Sequence, residues 1–322
     1  MIYDSLQQLI GSTPTLRLSR LTESRGLEVE LLAKLEFLNP YSLKDRPALF
    51  MIEEAERGGA LRPGGTIIEA SSGNAGIALT WIGRQRGYEV IICMSELMSD
   101  EHKRVLHALG ARLELTPARD GIRGSRARAQ ELAASIEGAH YFEQHHNPAN
   151  TLSHARSTGE EIWRDTAGRV DIFVHGLGSC GTMAGVSKTL KAHRPEIRCV
   201  AFEPAEAPLI SEGRFTAHRM LGIGPGFIPH LYEPELIDEL MTVRVADAFA
   251  TCRELAAREG ILAGITSGGS VHAALTLASR PEHRGATIVV LIADNGKDYL
   301  SVDGLFSTPS TTAAVTPGDA AP

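Results

Sequence analysis

Thr66-Ile67-Ile68-Glu69-Ala70-Ser71-Ser72-Gly73-Asn74-Ala75-Gly76 changes character half-way along. The first five residues are a short apolar, β-branched run of the kind that forms a buried strand. The remainder is small and polar and opens onto a helical pattern over 77–86. A strand that ends in a Gly-containing turn and passes straight into a helix is the building unit of a parallel sheet. The unit recurs in both directions. Downstream, strands at 89–94 and 112–116 alternate with helices at 100–109 and 125–136. After Gln144-His145-His146-Asn147-Pro148-Ala149-Asn150 a second series begins, with strands at 171–175, 197–202, near 241–245 and at 287–293, and helices at 152–164, 183–193, 246–258 and 269–278. Upstream lie a short helix over 5–10 ended by Gly11, a strand over 28–35 and a helix over 48–58. This alternation predicts an α/β fold of parallel sheets covered by helices on both faces.

A chain of 322 residues suits two lobes with a site in the cleft between them. The break in the series places the first domain at 1–150 and the second at 151–306. The Ser-, Thr-, Pro- and Ala-rich stretch 307–322 is expected to be a disordered tail. A composition of 43% hydrophobic and 22% charged residues is that of a soluble globular protein, and no apolar run approaches the roughly 20 residues of a membrane span. The net charge of −7 is spread without a basic patch, which argues against nucleic acid and anionic membranes as partners. Met1-Ile2-Tyr3-Asp4-Ser5 has neither the basic start nor the apolar core of a secretory signal, so a cytoplasmic location is expected. Cys93, Cys180, Cys199 and Cys252 show no metal-ligand spacing, and adjacent His145 and His146 point in different directions in regular structure, so no metal is expected.

In open parallel sheets ligands bind at the C-terminal ends of strands, which directs attention to the loops there. Asn39-Pro40-Tyr41-Ser42-Leu43-Lys44-Asp45-Arg46-Pro47 delivers a lysine just before a helix. A lysine amine can deprotonate, attack a carbonyl and form an imine, which arginine cannot do. Gly176-Leu177-Gly178-Ser179-Cys180-Gly181-Thr182 follows a strand and precedes a helix, and its amides and hydroxyls suit a phosphate. This loop also satisfies GxGxxG, with Glu203 about where a ribose-binding acid would stand, so on spacing alone a dinucleotide competes with a single phosphate. A lysine, a Ser-Ser-Gly-Asn anion nest and a phosphate cradle, each on a loop after a different strand, together favour an aldehyde cofactor with a phosphate arm, pyridoxal 5′-phosphate.

The same motifs resemble the cysteine synthase (O-acetylserine sulfhydrylase) and cystathionine β-synthase group of fold-type II pyridoxal-phosphate enzymes. The resemblance runs from Gly11-Ser12-Thr13-Pro14 to Tyr299-Leu300-Ser301. It implies a two-lobed fold in which an N-terminal segment crosses to the other lobe, and a homodimer. It implies that Lys44 carries the Schiff base, and that Ser71, Ser72, Gly73, Asn74 and Gln144 bind the substrate carboxylate. Asn74 would also meet the cofactor hydroxyl. Gly176, Gly178, Ser179, Cys180, Gly181 and Thr182 would hold the phosphate. Thr266, in Gly264-Ile265-Thr266-Ser267-Gly268, would face the pyridine nitrogen, and Gly222, opening Gly222-Ile223-Gly224-Pro225-Gly226-Phe227-Ile228-Pro229, would border the substrate. The family's site can also accept the C-terminal peptide of serine acetyltransferase, which gives the alternative of a partner-binding protein.

A neutral hydroxyl opposite the ring nitrogen leaves it unprotonated and the electron sink weak, which favours prompt loss of a β-substituent. The expected reaction is β-replacement on an activated L-serine through an aminoacrylate, with sulfide or another small nucleophile as acceptor. Cystathionine β-synthase-like chemistry, synthesis of another β-substituted alanine, and serine or threonine dehydration are the enzymatic alternatives. Tyr41, Ala75, Cys180, Leu221 and Asp294-Asn295 depart from the family pattern. Ala75 removes a hydroxyl from the carboxylate loop. Leu221 offers no charge to a phosphorylated donor, which favours a neutral arm such as that of O-acetylserine. Tyr41 is expected to narrow or reshape the acceptor entrance.

Overall fold

The computed structural model describes residues 2–71 and 73–306; Ser72 and the tail 307–322 lie outside the described residues. The chain runs β1 (Thr15–Arg17), α1 (Ser19–Glu23), β2 (Glu30–Lys34), α2 (Asp45–Arg57), β3 (Thr66–Ala70), α3 (Asn74–Gln85), β4 (Glu89–Ser95), α4 (Asp100–Ala108), β5 (Arg112–Thr116), α5 (Gly121–Ser135) and β6 (Ala139–Tyr141). It continues through α6 (Pro148–Ser153), α7 (Glu160–Asp165), β7 (Ile172–Gly176), α8 (Gly181–His193), β8 (Arg198–Pro204), α9 (Leu209–Glu212), β9 (Glu239–Val243), α10 (Val245–Glu254), α11 (Ile265–Ala278) and β10 (Thr287–Leu291).

Two sheets form. The smaller has the order β5-β4-β3-β6 and is parallel throughout. The larger has the order β1-β2-β10-β7-β8-β9, with β1 antiparallel to β2 and every other pair parallel. Side chains alternate across each sheet, so neighbours in sequence serve different cores. On the larger sheet Leu31, Ala33, Val174, Phe202 and Val290 enter one cluster, while Leu32, Phe173, Ala201, Val289 and Leu291 enter another. Ile67, Val90 and Ile92 likewise oppose Ile68, Ile91 and Cys93 on the smaller sheet. Apolar residues on both faces explain why these strands read as continuous runs.

The strand ahead of Lys44, β2, pairs with β10 in the larger sheet, whereas the helix after it, α2, packs on the Ile67 and Ile92 core of the smaller one. Lys44 therefore lies on a crossing between the two sheets. The single helix expected over 152–164 is instead α6, a π-helical segment His154–Gly159, and α7. Close crossing with α8 accompanies this interruption: a Cβ on Gly185 would lie 2.3 Å from the Thr151 carbonyl oxygen, and one on Gly159 would lie 2.7 Å from Thr189 Cβ.

Candidate active site

The turn before α2 is shaped by Asp45. Its Oδ2 accepts the amides of Tyr41 at 2.7 Å and Ser42 at 3.1 Å, and its Oδ1 accepts Trp81 Nε1 at 2.9 Å. Leu43 N donates to the Ala293 carbonyl at 2.8 Å, which pins the turn to the end of β10. Lys44, at the N-cap of α2, is thereby turned into a cavity between the sheets. Burial lowers its amine to about 8, with the charge of Asp294 pulling the other way.

The Gly-rich loop lines the same cavity and runs from the end of β7 into α8. A Cβ on Gly178 would stand 2.5 Å from the Gly222 carbonyl oxygen, and one on Gly181 would stand 2.2 Å from Asn150 Oδ1. Only glycine permits these approaches. Cys180 between them takes a left-handed backbone, φ 66°, and burial pushes its thiol up to about 12. Both loop hydroxyls are held from behind. Ser179 Oγ accepts Asn150 Nδ2 at 3.0 Å, an amide that also donates to the Gln144 carbonyl at 2.9 Å. Thr182 Oγ1 meets His154 Nε2 at 3.1 Å, and His154 Nδ1 meets Thr158 Oγ1 at 2.9 Å.

Lys44, Asn74, Gly176, Gly178, Ser179, Cys180, Thr182, Gly222 and Thr266 all line this one cavity. Gly181 sits behind the wall against Asn150, and Gln144 is buried beside it with its carbonyl on Asn150. Ser71 Oγ accepts the amides of Gly76 at 2.9 Å and Gly73 at 3.3 Å, so it shapes the turn into α3. Ser72 lies outside the described residues. Tyr41 does not line the cavity: its ring packs 5.9 Å from Trp81, so the expected narrowing of the acceptor entrance has no support. Glu203 is already engaged, with Oε2 accepting Ile210 N at 2.9 Å and Oε1 accepting Ser211 N at 2.9 Å and Ser211 Oγ at 2.6 Å. The acid that a dinucleotide ribose would require is thus occupied in capping α9.

Sequence reasoning missed His175 and left Asp294 as a mere departure, though both line the cavity. His175 is the next-to-last residue of β7, is 7% exposed, and has a buried Nδ1 without a partner. Burial and then Lys44 lower its imidazole to about 3. A histidine immediately before a Gly-rich loop was the available signal.

The family model described as pyridoxal-phosphate dependent enzyme matches residues 6–294. The chain belongs to this family. Cysteine synthase 3 of Caenorhabditis elegans is 40% identical over 305 residues, 94% of this chain and 90% of that protein. The solved structure of cysteine synthase from Entamoeba histolytica matches at a TM-score of 0.92 and 36% identity, covering 97% of this chain and 93% of that one. O-ureido-L-serine synthase matches at 0.90 and 37%, covering 99% and 98%. The cavity suits the cofactor of a pyridoxal-phosphate-dependent enzyme. It offers a buried amine, two hydroxyls aimed from a glycine cradle at the N-terminus of the 13-residue α8, and no carboxylate within that cradle.

Proposed function

We propose that this enzyme performs β-replacement on an activated L-serine, with O-acetylserine as donor and sulfide as acceptor, to give cysteine. The observation that carries this reading is the convergence of Lys44, Asn74, the Gly-rich loop and Thr266 on one cavity in a chain 40% identical to a cysteine synthase. Bound there, pyridoxal phosphate supplies the electron sink that stabilises negative charge at the substrate Cα. Lys44 Nζ is the attachment point for the cofactor aldehyde and, once released, the base that holds the Cα proton. The amides and hydroxyls of Gly176, Gly178, Ser179, Cys180, Gly181 and Thr182 take the phosphate. Ser71, Ser72, Gly73, Asn74 and Gln144 form the carboxylate site, Asn74 also meeting the cofactor hydroxyl, and Gly222 borders the substrate.

Among the described residues lining the cavity, Lys44 is the one lysine or arginine, so a dianionic leaving group would meet no further strong cation. This supports a neutral acyl arm. Mixing the loaded enzyme with O-acetylserine or O-phosphoserine in a stopped-flow spectrometer should give a far faster spectral change with the former, and sulfide should then yield cysteine by mass spectrometry. Comparable rates with the two donors would refute the donor assignment. The equally long match to O-ureido-L-serine synthase supports a second reading, in which a hydroxyurea oxygen replaces sulfide. Competition between the two nucleophiles at equal concentration separates them. The family resemblance supports a cytoplasmic homodimer and a contact with serine acetyltransferase, and light scattering with and without that enzyme's C-terminal peptide tests both associations.

A further inference from the structure

His175 lines the cavity one residue ahead of Gly176, the first glycine of the Gly-rich loop. Its direction follows from the alternation of β7. Val174 enters the core on one face of the larger sheet and Phe173 the core on the other. His175 therefore shares the face of Phe173, and the two rings stack at 6.2 Å. Met183, Val186 and Leu190 of α8 belong to the Phe173 core, as does Leu43 of the turn that presents Lys44. The imidazole thus stands at the strand end on the face that carries both α8 and the lysine turn. Lys44 on one side and His154, the partner of Thr182, on the other both lie within electrostatic reach of it. His175 is accordingly placed between the amine that meets the cofactor aldehyde and a hydroxyl of the phosphate cradle.

The ring is neutral, because burial and then the charge of Lys44 hold it down to about 3. A neutral imidazole carries one hydrogen, and its position is decided by the surroundings of the two nitrogens. Nδ1 is sealed in the interior without a partner. A buried N–H without an acceptor is the rarer and costlier arrangement, so Nδ1 is left bare and Nε2 bears the hydrogen. His175 thereby offers an N–H donor to a cavity in which Lys44 is the one lysine or arginine among the described lining residues. On pyridoxal phosphate the aldehyde and the phosphate arm stand on neighbouring ring carbons, so a donor placed between their two anchors lies beside the arm. We propose that His175 is a further ligand of the cofactor's phosphate arm, donating Nε2–H to one of its oxygens. The inference rests on the cofactor placement proposed above. It supplies what the cradle needs when an amino acid displaces Lys44 from the cofactor. The covalent anchor is then gone, and the α8 amides, the Ser179 and Thr182 hydroxyls and the His175 donor hold the dianion.

The test compares wild-type holoenzyme with His175→Phe, which keeps a ring but no N–H, and His175→Gln, which keeps a side-chain N–H. Equilibrium dialysis reads the affinity for pyridoxal phosphate, and 31P NMR reads the environment of the bound phosphate. His175→Phe is expected to weaken binding at least tenfold and to move the phosphorus signal, whereas His175→Gln stays within about threefold of wild type. Wild-type holoenzyme labelled with 15N in its histidine rings gives a measurement that depends on neither variant's affinity. His175, identified as the ring signal absent from His175→Gln, should show a protonated Nε2 and a bare Nδ1. An unchanged affinity and phosphorus signal in His175→Phe, an equal loss in both variants, or a bare Nε2 in wild type would overturn the inference while leaving the cofactor placement standing. A wild-type protein that takes up no pyridoxal phosphate would overturn both.

Discussion

A lysine amine attacks an aldehyde only in its neutral form, so the surroundings of Lys44 decide when it can act. With the amine lowered to about 8 by burial, roughly a quarter is neutral at pH 7.5, against about 0.1% for an exposed lysine of ordinary pKa. The sign is fixed by the charge: protonation below pH 8 blocks attack, and deprotonation above it permits attack. The rate of covalent cofactor attachment to the apoenzyme should therefore rise about tenfold per pH unit up to pH 8 and flatten beyond it. Stopped-flow absorbance from pH 6 to 10 measures this, and a rate still climbing steeply at pH 10 would contradict it. Lys44, Asn74 and the Gly-rich loop were legible in the sequence because each stands in a local strand-to-helix turn. Asp294 was not, because its contact with Asn74, 220 residues away, exists only in the fold. His154 was hidden for the same reason, since only the tertiary structure brings it to Thr182.

At the level of elements, the strand and helix alternation was legible because apolar runs and helical spacing are local properties. Three-residue β1 and β6 are too short to show any period, and the pairing of β2 with β10 is a long-range choice. The π-helical segment between α6 and α7 escaped for a related reason, since it accompanies contacts of Gly159 and Gly185 with their neighbours. The loop between β7 and α8 is where element geometry meets chemistry. Gly178 lets this backbone approach Gly222, and an alanine Cβ would have to move a carbonyl oxygen now 2.5 Å from it. Moving either loop disturbs the cradle rather than the fold. Gly178→Ala should therefore weaken pyridoxal phosphate by about tenfold or more, equivalent to about 1.4 kcal/mol, with little change in the unfolding midpoint of the cofactor-free protein. Equilibrium dialysis and urea unfolding read the two quantities separately. A variant that loses stability and affinity together would place the glycine's role in folding instead.

Across the whole molecule, the two sheets meet at a buried ionic network two residues from Lys44. Arg46, 1% exposed, donates Nε to Glu36 Oε2 at 2.6 Å and both terminal nitrogens to Glu161, at 2.7 and 2.8 Å. Lys34, fully buried at the end of β2, meets Glu161 Oε2 at 2.8 Å and Asp165 Oδ2 at 2.9 Å. The network thus ties β2, α2 and α7 together around the crossing that presents Lys44. Burial alone would raise the Glu161 carboxyl, but hydrogen bonds and charge from Arg46, and then from Lys34, outweigh it and hold it at about 2. A carboxyl depressed from 4.5 to about 2 contributes stability that is present above pH 4.5 and is lost as pH falls toward 2. Removing one member of a buried ion pair leaves its partner uncompensated and costs about 3–5 kcal/mol. Arg46→Met should accordingly lower the urea unfolding free energy by about that amount at pH 7. At pH 3 the gap between wild type and variant should narrow, because Glu161 in the variant, with less positive charge to hold it ionised, can take a proton and no longer needs the guanidinium. A gap of equal size at both values would mean that Arg46 stabilises the molecule through packing of its side chain and not through the charge of Glu161.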